Sequence, residues 1–188
     1  MKLRIGALST PSLTTFSYVV LALVGRGGAT AHELVQMQRR GEAYFNYAGS
    51  QWYAEPKRLA SLGLLRAERE LGRTRERTRY HLTDAGREAL VRWVPEPPRP
   101  PHVDSEGVVK VLATDLASEE AVLTSIRALR PQLERMRASI REGVRHADDF
   151  PHRERYLLLN HRLVERVLDA HLAWVDEIDA ELGGESAR

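Results

Sequence analysis

The 188-residue sequence predicts a mainly α-helical protein in two parts, an N-terminal helical unit with a small β-hairpin and a C-terminal antiparallel helical region. Two observations concern periodicity. From Phe16 onward apolar residues recur at spacings of three and four almost everywhere, as helices require. One segment departs from this: Leu64–Glu70 and Arg77–Leu82 read as short strands, with Gly72-Arg73-Thr74 as their turn. The third observation is Pro95–Pro101 (PEPPRPP), whose five prolines cannot continue a helix and favour a stiff spacer. The resulting expectation is a flexible tail at 1–13, a first domain at 14–94 and a proline-rich linker at 95–103. A helical domain at 104–182 and a short tail at 183–188 follow.

Taken in order, Thr14 or Thr15 caps a first helix with Phe16, Val19, Val20, Leu23 and Val24 as its apolar stripe. Gly25, Gly27 and Gly28 end it. Thr30 and Glu33 form a capping box, the threonine bonding forward and the glutamate back. They open a second helix, Ala31–Arg40, with Leu34, Val35 and Met37 inward. Gly41–Gly49 is an aromatic connection expected to bury Phe45. Ser50 is then placed to cap a third helix, in which Trp52, Pro56, Leu59 and Leu62 share one face. Gly63 supplies the left-handed residue that terminates it. After the hairpin, Thr83 caps a fourth helix, Asp84–Val94, with Ala85, Leu90 and Trp93 in its stripe.

The outer face of the third helix carries Gln51, Tyr53, Lys57 and Arg58, which donate hydrogen bonds or carry positive charge. A helix buried on one side and cationic on the other suits a DNA major groove. The hairpin adds Arg69, Arg73, Arg75, Arg77 and Arg79, more than an edge strand needs to resist aggregation and well matched to phosphate oxygens. Helix, glycine and basic hairpin, in that order, make a winged helix-turn-helix. In this reading Ser50 and Gln51 stand at the helix start, Gln51 facing an adenine edge. Lys57 and Arg58 hold phosphates, and Tyr53 either donates to a phosphate or packs. Arg73, Thr74 and Arg75 at the wing tip reach the backbone or minor groove. Arg39 and Arg40 add phosphate contacts or are simply solvated.

Beyond the prolines, Ser105–Leu116 is expected to bury Val108, Val109, Leu112 and Leu116. A long helix opened by Ser118 runs to about Ala147, its stripe comprising Ala121, Val122, Ser125, Leu129, Leu133, Met136 and Ile140, with Pro131 as a mild kink. Pro151 opens a last helix to about Leu182, striped by Leu157, Leu158, His161, Val164, Leu168, His171, Leu172, Val175 and Ile178. Two such helices cannot cover each other's apolar surface, which argues for packing against a second copy, a C2 homodimer.

Charge is divided unevenly. Residues 1–95 hold 15 Lys and Arg against 8 Asp and Glu, and residues 96–188 hold 13 against 18. Such asymmetry implies that one half meets a polyanion. With no cysteine, disulfides and thiolate zinc sites are excluded. His161 and His171 lie ten residues apart on one helix, about 15 Å at 1.5 Å per residue, too far to share an ion, so no metal is expected. No phosphate loop, nucleophile elbow or paired-carboxylate frame is present, and neither catalysis nor a cofactor is expected. The longest apolar block, Tyr18–Val24, is too short to span a membrane, and no signal peptide is evident. The expectation is a cytoplasmic, non-enzymatic protein.

These residues resemble one family, the longer-tailed PadR-like transcriptional regulators. The resemblance runs from Phe16 to Leu182. It rests on Ser50-Gln-Trp-Tyr53, Lys57-Arg58-Leu59 with Leu62-Gly63-Leu64, and Tyr80-His-Leu-Thr-Asp-Ala-Gly86. Ser105-Glu-Gly-Val-Val-Lys110 and Leu157-Leu-Leu-Asn160 leading to Trp174 extend it. It implies a dimeric repressor on a pseudo-palindromic operator in double-stranded DNA, with a small aromatic or cationic effector as a candidate further partner. Trp93 and Trp174 are then candidates for an effector pocket, against the alternative of ordinary core. Pro56 departs from the aliphatic residue of the family pattern and removes the backbone bond to the Trp52 carbonyl. The competing reading is a helical protein–protein interaction module, or an effector sensor, on a winged-helix scaffold without specific DNA binding.

Overall fold

The computed structural model describes residues 12–40, 47–71, 76–101 and 105–184. They form two compact units, with the main division after Pro98.

In the first unit, local capping starts the helices. The Thr14 hydroxyl accepts from the Ser17 N–H at 3.2 Å and the Ser17 hydroxyl from the Thr14 N–H at 3.0 Å, opening α1 (Thr15–Val24). The two-residue strand β1 (Ala29–Thr30), unforeseen from sequence, runs straight into α2 (Ala31–Arg40). There the expected capping box is present: Thr30 N–H donates to Glu33 at 2.8 Å and Glu33 N–H to Thr30 at 3.2 Å. Phe45 lies outside the described residues.

The third helix, α3, spans Gln51–Ser61. Its start differs from expectation, because Ser50 makes no side-chain cap bond. Ser50 is already helical (φ −63°, ψ −32°), whereas a capping hydroxyl needs an extended backbone. The Gln51 side chain turns back onto the preceding loop, its carbonyl oxygen accepting from the Ala48 N–H at 3.1 Å. The C-terminus closes as a Schellman turn: Leu64 N–H bonds Leu59 carbonyl at 2.9 Å, Gly63 N–H bonds Ala60 carbonyl at 3.0 Å, and Gly63 takes φ +73°. Pro56 sits inside the helix, fully buried.

Strands β2 (Leu65–Leu71) and β3 (Glu76–Leu82) pair antiparallel from Leu65↔Leu82 to Leu71↔Glu76. β1 adds to the far side of β3, giving the order β1-β3-β2. Thr83 caps α4 (Asp84–Trp93), accepting from Gly86 N–H at 3.1 Å. The inward residues of α4 are Gly86 and Ala89, whereas the expected Ala85 is exposed. A Cβ at position 86 would stand 2.2 Å from the Leu64 carbonyl oxygen, so only glycine lets helix and strand meet there. Around this frame Val20, Leu21, Leu34, Trp52 and Leu59 are fully buried. Phe16 meets Trp52 edge-on at 4.9 Å, a geometry that adds to simple burial.

The second unit begins with α5 (Glu106–Leu112) and a 3₁₀ turn (Thr114–Leu116). The expected burial of Val108, Val109, Leu112 and Leu116 does not occur within the chain; they are 48–87% exposed. Periodicity reports an apolar face but not whether any part of the chain covers it. Only Gly107 is buried on α5, close against Leu129 and Trp174.

One long helix was expected next, and two are present: α6 (Glu119–Arg127) and α7 (Arg130–Arg145). Pro131 breaks the run instead of kinking it. Its ring cannot sit over the Arg127 carbonyl, and its missing N–H costs little in the first turn of a new helix. Val122, Leu123 and Ile126 face inward, whereas Ala121 is exposed. The last helix, α8 (Glu154–Gly183), starts three residues after Pro151.

α6 and α7 pack antiparallel to α8, burying Val164, Leu168, Val175 and Ile178 of the predicted stripe. An ion-pair ladder lines the seam: Arg127–Asp179, Arg130–Asp176, Arg137–Asp169 (3.3 Å) and Arg141–Glu165 (3.2 Å). Every step along one helix is matched by an equal step back along the other. His161 is buried on α8 with its Nε2 beside Gly143, where a Cβ would come within 2.8 Å. Burial lowers its pKa, partly opposed by a hydrogen bond to the Leu157 carbonyl.

Candidate nucleic-acid interface

The outward face of α3 is built by the spacing of Gln51, Tyr53, Ala54, Lys57 and Ser61, all exposed. The opposite face, Trp52, Pro56 and Leu59, is anchored in the core and so holds the exposed one rigidly. Gln51 is exposed near the helix N-terminus, one amide oxygen engaged with Ala48. Tyr53 is 47% exposed. Among the described residues Lys57 has no carboxylate within ion-pair reach. Ser61 is turned back onto its own helix, donating to the Arg58 carbonyl at 2.7 Å.

Arg58 is engaged by partners within its own unit. Its Nε and Nη2 donate to the two Glu55 oxygens at 2.8 and 2.7 Å, and Nη2 also donates to Ser17 Oγ at 2.9 Å. Burial would raise the Glu55 pKa, yet hydrogen bonds from Arg58 and Ser17 hold it below the ordinary value. Its two Glu55 bonds hold the half-exposed guanidinium against its own helix.

Among the described residues of the hairpin the arginines likewise have carboxylate neighbours. Arg77 pairs with Glu70 directly across the strands at 2.6 Å. Arg79 donates from Nε to Glu70 at 3.0 Å, from Nη2 to Glu33 at 2.9 Å, and from Nη1 to the Gly28 carbonyl at 3.2 Å. This ties β3 to the N-terminus of α2. Bonds from Arg79 lower the Glu70 pKa. Burial pushes Glu33 upward, but the Thr30 N–H and Arg79 outweigh it. Arg69 is 84% exposed, its nearest carboxylate, Glu76, 4.0 Å away. Arg73, Thr74 and Arg75 lie outside the described residues. Sequence reasoning missed Glu33, Glu55 and Ser17 as partners of these arginines. Only the i,i+3 spacing of Glu55 and Arg58 was a signal.

The two tryptophans proposed for an effector pocket belong to different units. Trp93 stacks on Tyr18 at 4.3 Å with an interplanar angle of 6°. Trp174 lines a shallow cavity of about 350 Å³ in the second unit, with Val111, Thr114, Glu177 and Glu181. Among the described residues no three His, Asp or Glu side chains converge as metal ligands, and no helix is long and apolar enough to cross a membrane.

No family model and no curated protein matches the chain. Solved structures do. PadR of Bacillus subtilis in complex with operator DNA has TM-score 0.74 and 18% identity, with 91% of this chain and 99% of that one covered. The same protein in complex with p-coumaric acid has TM-score 0.62 at 18% identity, covering 89% and 98%. The PadR-like regulator BC1756 of Bacillus cereus has TM-score 0.72 at 15% identity, covering 94% and 98%. The Vibrio cholerae virulence activator AphA has TM-score 0.71 at 23% identity, covering 91% and 99%. The resemblance read from the sequence therefore holds at the level of architecture: this chain has the fold of the PadR-like transcriptional regulators.

Proposed function

We propose that this chain is a PadR-like transcriptional regulator, a dimeric, non-enzymatic repressor that binds a pseudo-palindromic operator. The observation that carries this reading is agreement in fold over 91% of the chain with a PadR bound to operator DNA, joined to an α3 whose exposed face presents Gln51, Tyr53 and Lys57 opposite a buried one. Residues 14–94 act as the DNA-binding domain, 95–103 as linker and 104–182 as the dimerisation domain. Gln51 reads a base edge, Ser50, Tyr53 and Lys57 support it, and Arg73, Thr74 and Arg75 hold the DNA backbone.

Dimerisation is supported by apolar surface left open in the second unit. On α8, Tyr156, Leu159, Leu163 and Val167 form a stripe opposite the buried one, each 45–64% exposed. Burying a large apolar side chain stabilises by roughly 1.5–3 kcal/mol, so a second copy laid along this stripe gains substantially. Relief by an effector is supported by the open hollow of about 350 Å³ beside Trp174, where the indole ring suits an aromatic compound and Glu177 and Glu181 a cationic one.

Selection of bound fragments from genomic DNA tests the reading. We expect recovered sites to share two half-sites spaced by about one or two helical turns, with affinity falling steeply as salt rises. Recovery of random sequence, or a monomer at micromolar concentration in sedimentation, would refute it.

A further inference from the structure

Of the two cations on α3, Lys57 is exposed to solvent, whereas Arg58, its side chain 40% exposed, is turned along the helix surface onto Glu55 and Ser17. Arg58 grips both oxygens of Glu55, whose side chain is only 13% exposed, and bonds the fully buried Ser17 of α1. Ser17 in turn closes the cap of α1 with Thr14. The recognition helix is thus tied to the start of α1 by a planar, bidentate fork. A lysine cannot reproduce that geometry. Moving Arg58 to a phosphate would leave the Glu55 carboxylate desolvated and unpaired, which is strongly unfavourable.

We propose that Arg58, Glu55 and Ser17 are positioning residues that set the orientation of α3 on α1, so that Arg58 serves operator recognition through helix placement and not by holding a phosphate. The proposal rests on the operator-binding reading above.

The two roles predict opposite signs. A phosphate-holding Arg58 would be released by Glu55→Gln, tightening DNA binding, and Arg58→Lys would be nearly harmless. A positioning Arg58 makes both changes damaging. Fluorescence anisotropy with a duplex recovered by genomic selection, alongside a mixed-sequence duplex, reads the difference. We expect Glu55→Gln and Arg58→Lys each to weaken the selected duplex about tenfold, in keeping with loss of a charge-assisted hydrogen bond. The slope of affinity against salt should stay that of the wild type, because no phosphate contact is removed. The mixed-sequence duplex should change less. Should Glu55→Gln fail to fold, Ser17→Ala, which keeps both charges, is expected to weaken the selected duplex severalfold, and wild-type affinity there would overturn the proposal. Tighter binding by Glu55→Gln, or wild-type binding by Arg58→Lys, would overturn it while leaving operator binding intact. Wild-type protein that ignores both duplexes in dilute buffer would instead remove the operator-binding reading, and the clamp's role with it.

Discussion

The two units bury their apolar residues differently. In the first, α1, α2, α3 and the sheet surround a single core in which Trp52, Leu21, Leu34 and Leu59 are wholly enclosed. The second has two smaller clusters, one around Val122, Ile126 and Val175 and one around Ile140, Val164 and Leu168. It leaves Leu112 and Leu116 at 80% and 87% exposure. The first keeps its largest apolar side chains in one core, with Leu71, Val91 and Val94 left exposed, whereas the second divides them and leaves a longer apolar surface open, the surface that the proposed dimer would cover. Stability of the first should therefore be a property of the monomer, whereas stability of the second should depend on concentration.

Breaking the self-contained core should produce the largest effect. Leu59→Ala leaves a cavity in a fully packed site and should cost about 2–5 kcal/mol in denaturant unfolding, independent of protein concentration. The open face should behave otherwise. Leu163→Glu places a charge on the 61%-exposed outer stripe of α8. We expect little change in the monomer's helicity but about 2 kcal/mol weaker self-association by analytical ultracentrifugation, comparable to one buried side chain.

A smaller, pH-dependent effect belongs to the second unit. The folded protein holds His161 below its ordinary pKa of 6.5, so its stabilising contribution is complete above that value. As pH falls from about 7 through 6.5 toward the folded pKa, the unfolded chain takes up the proton first and stability declines. Unfolding followed by circular dichroism between pH 7 and 5 should show this decline, and His161→Leu should remove it. Smallest of all is the ladder: Arg141→Ala, losing a half-exposed pair with Glu165, should change stability by only about 0.2–1 kcal/mol. A loss as large as that of Leu59→Ala would mean that ion pairs, not apolar burial, hold the second unit together.

The helix starts that could be read in the sequence were those set by neighbouring residues. Thr14, Thr30 with Glu33, and Thr83 each cap within three residues, and Gly63 announces its own left-handed turn. The fates of Arg58 and Arg79 were not legible, because Ser17 and Glu33 stand 41 and 46 residues away. Strand β1 was missed for the same reason, its partners Tyr80 and Arg79 lying some fifty residues on. Ser50 failed as a cap because its own backbone had already turned helical. On α5, the apolar pattern of Val108, Val109 and Leu112 was visible, but pattern alone does not say which surface meets it. Of the candidate interface, the exposed residues of α3 were identifiable, and the carboxylates that neutralise its neighbours were not.

The equal stepping of the ion-pair ladder that α6 and α7 make with α8 restricts how this protein can change length. Inserting one residue within α7 or α8 would rotate everything beyond it by about 100° and uncouple the rungs on that side, setting arginines opposite apolar residues such as Leu168 and Val164. The bend around Ala147–Asp149, by contrast, lies beyond the last rung. Length variation among related chains should therefore collect at that bend, and a linker spliced there should leave both arms aligned.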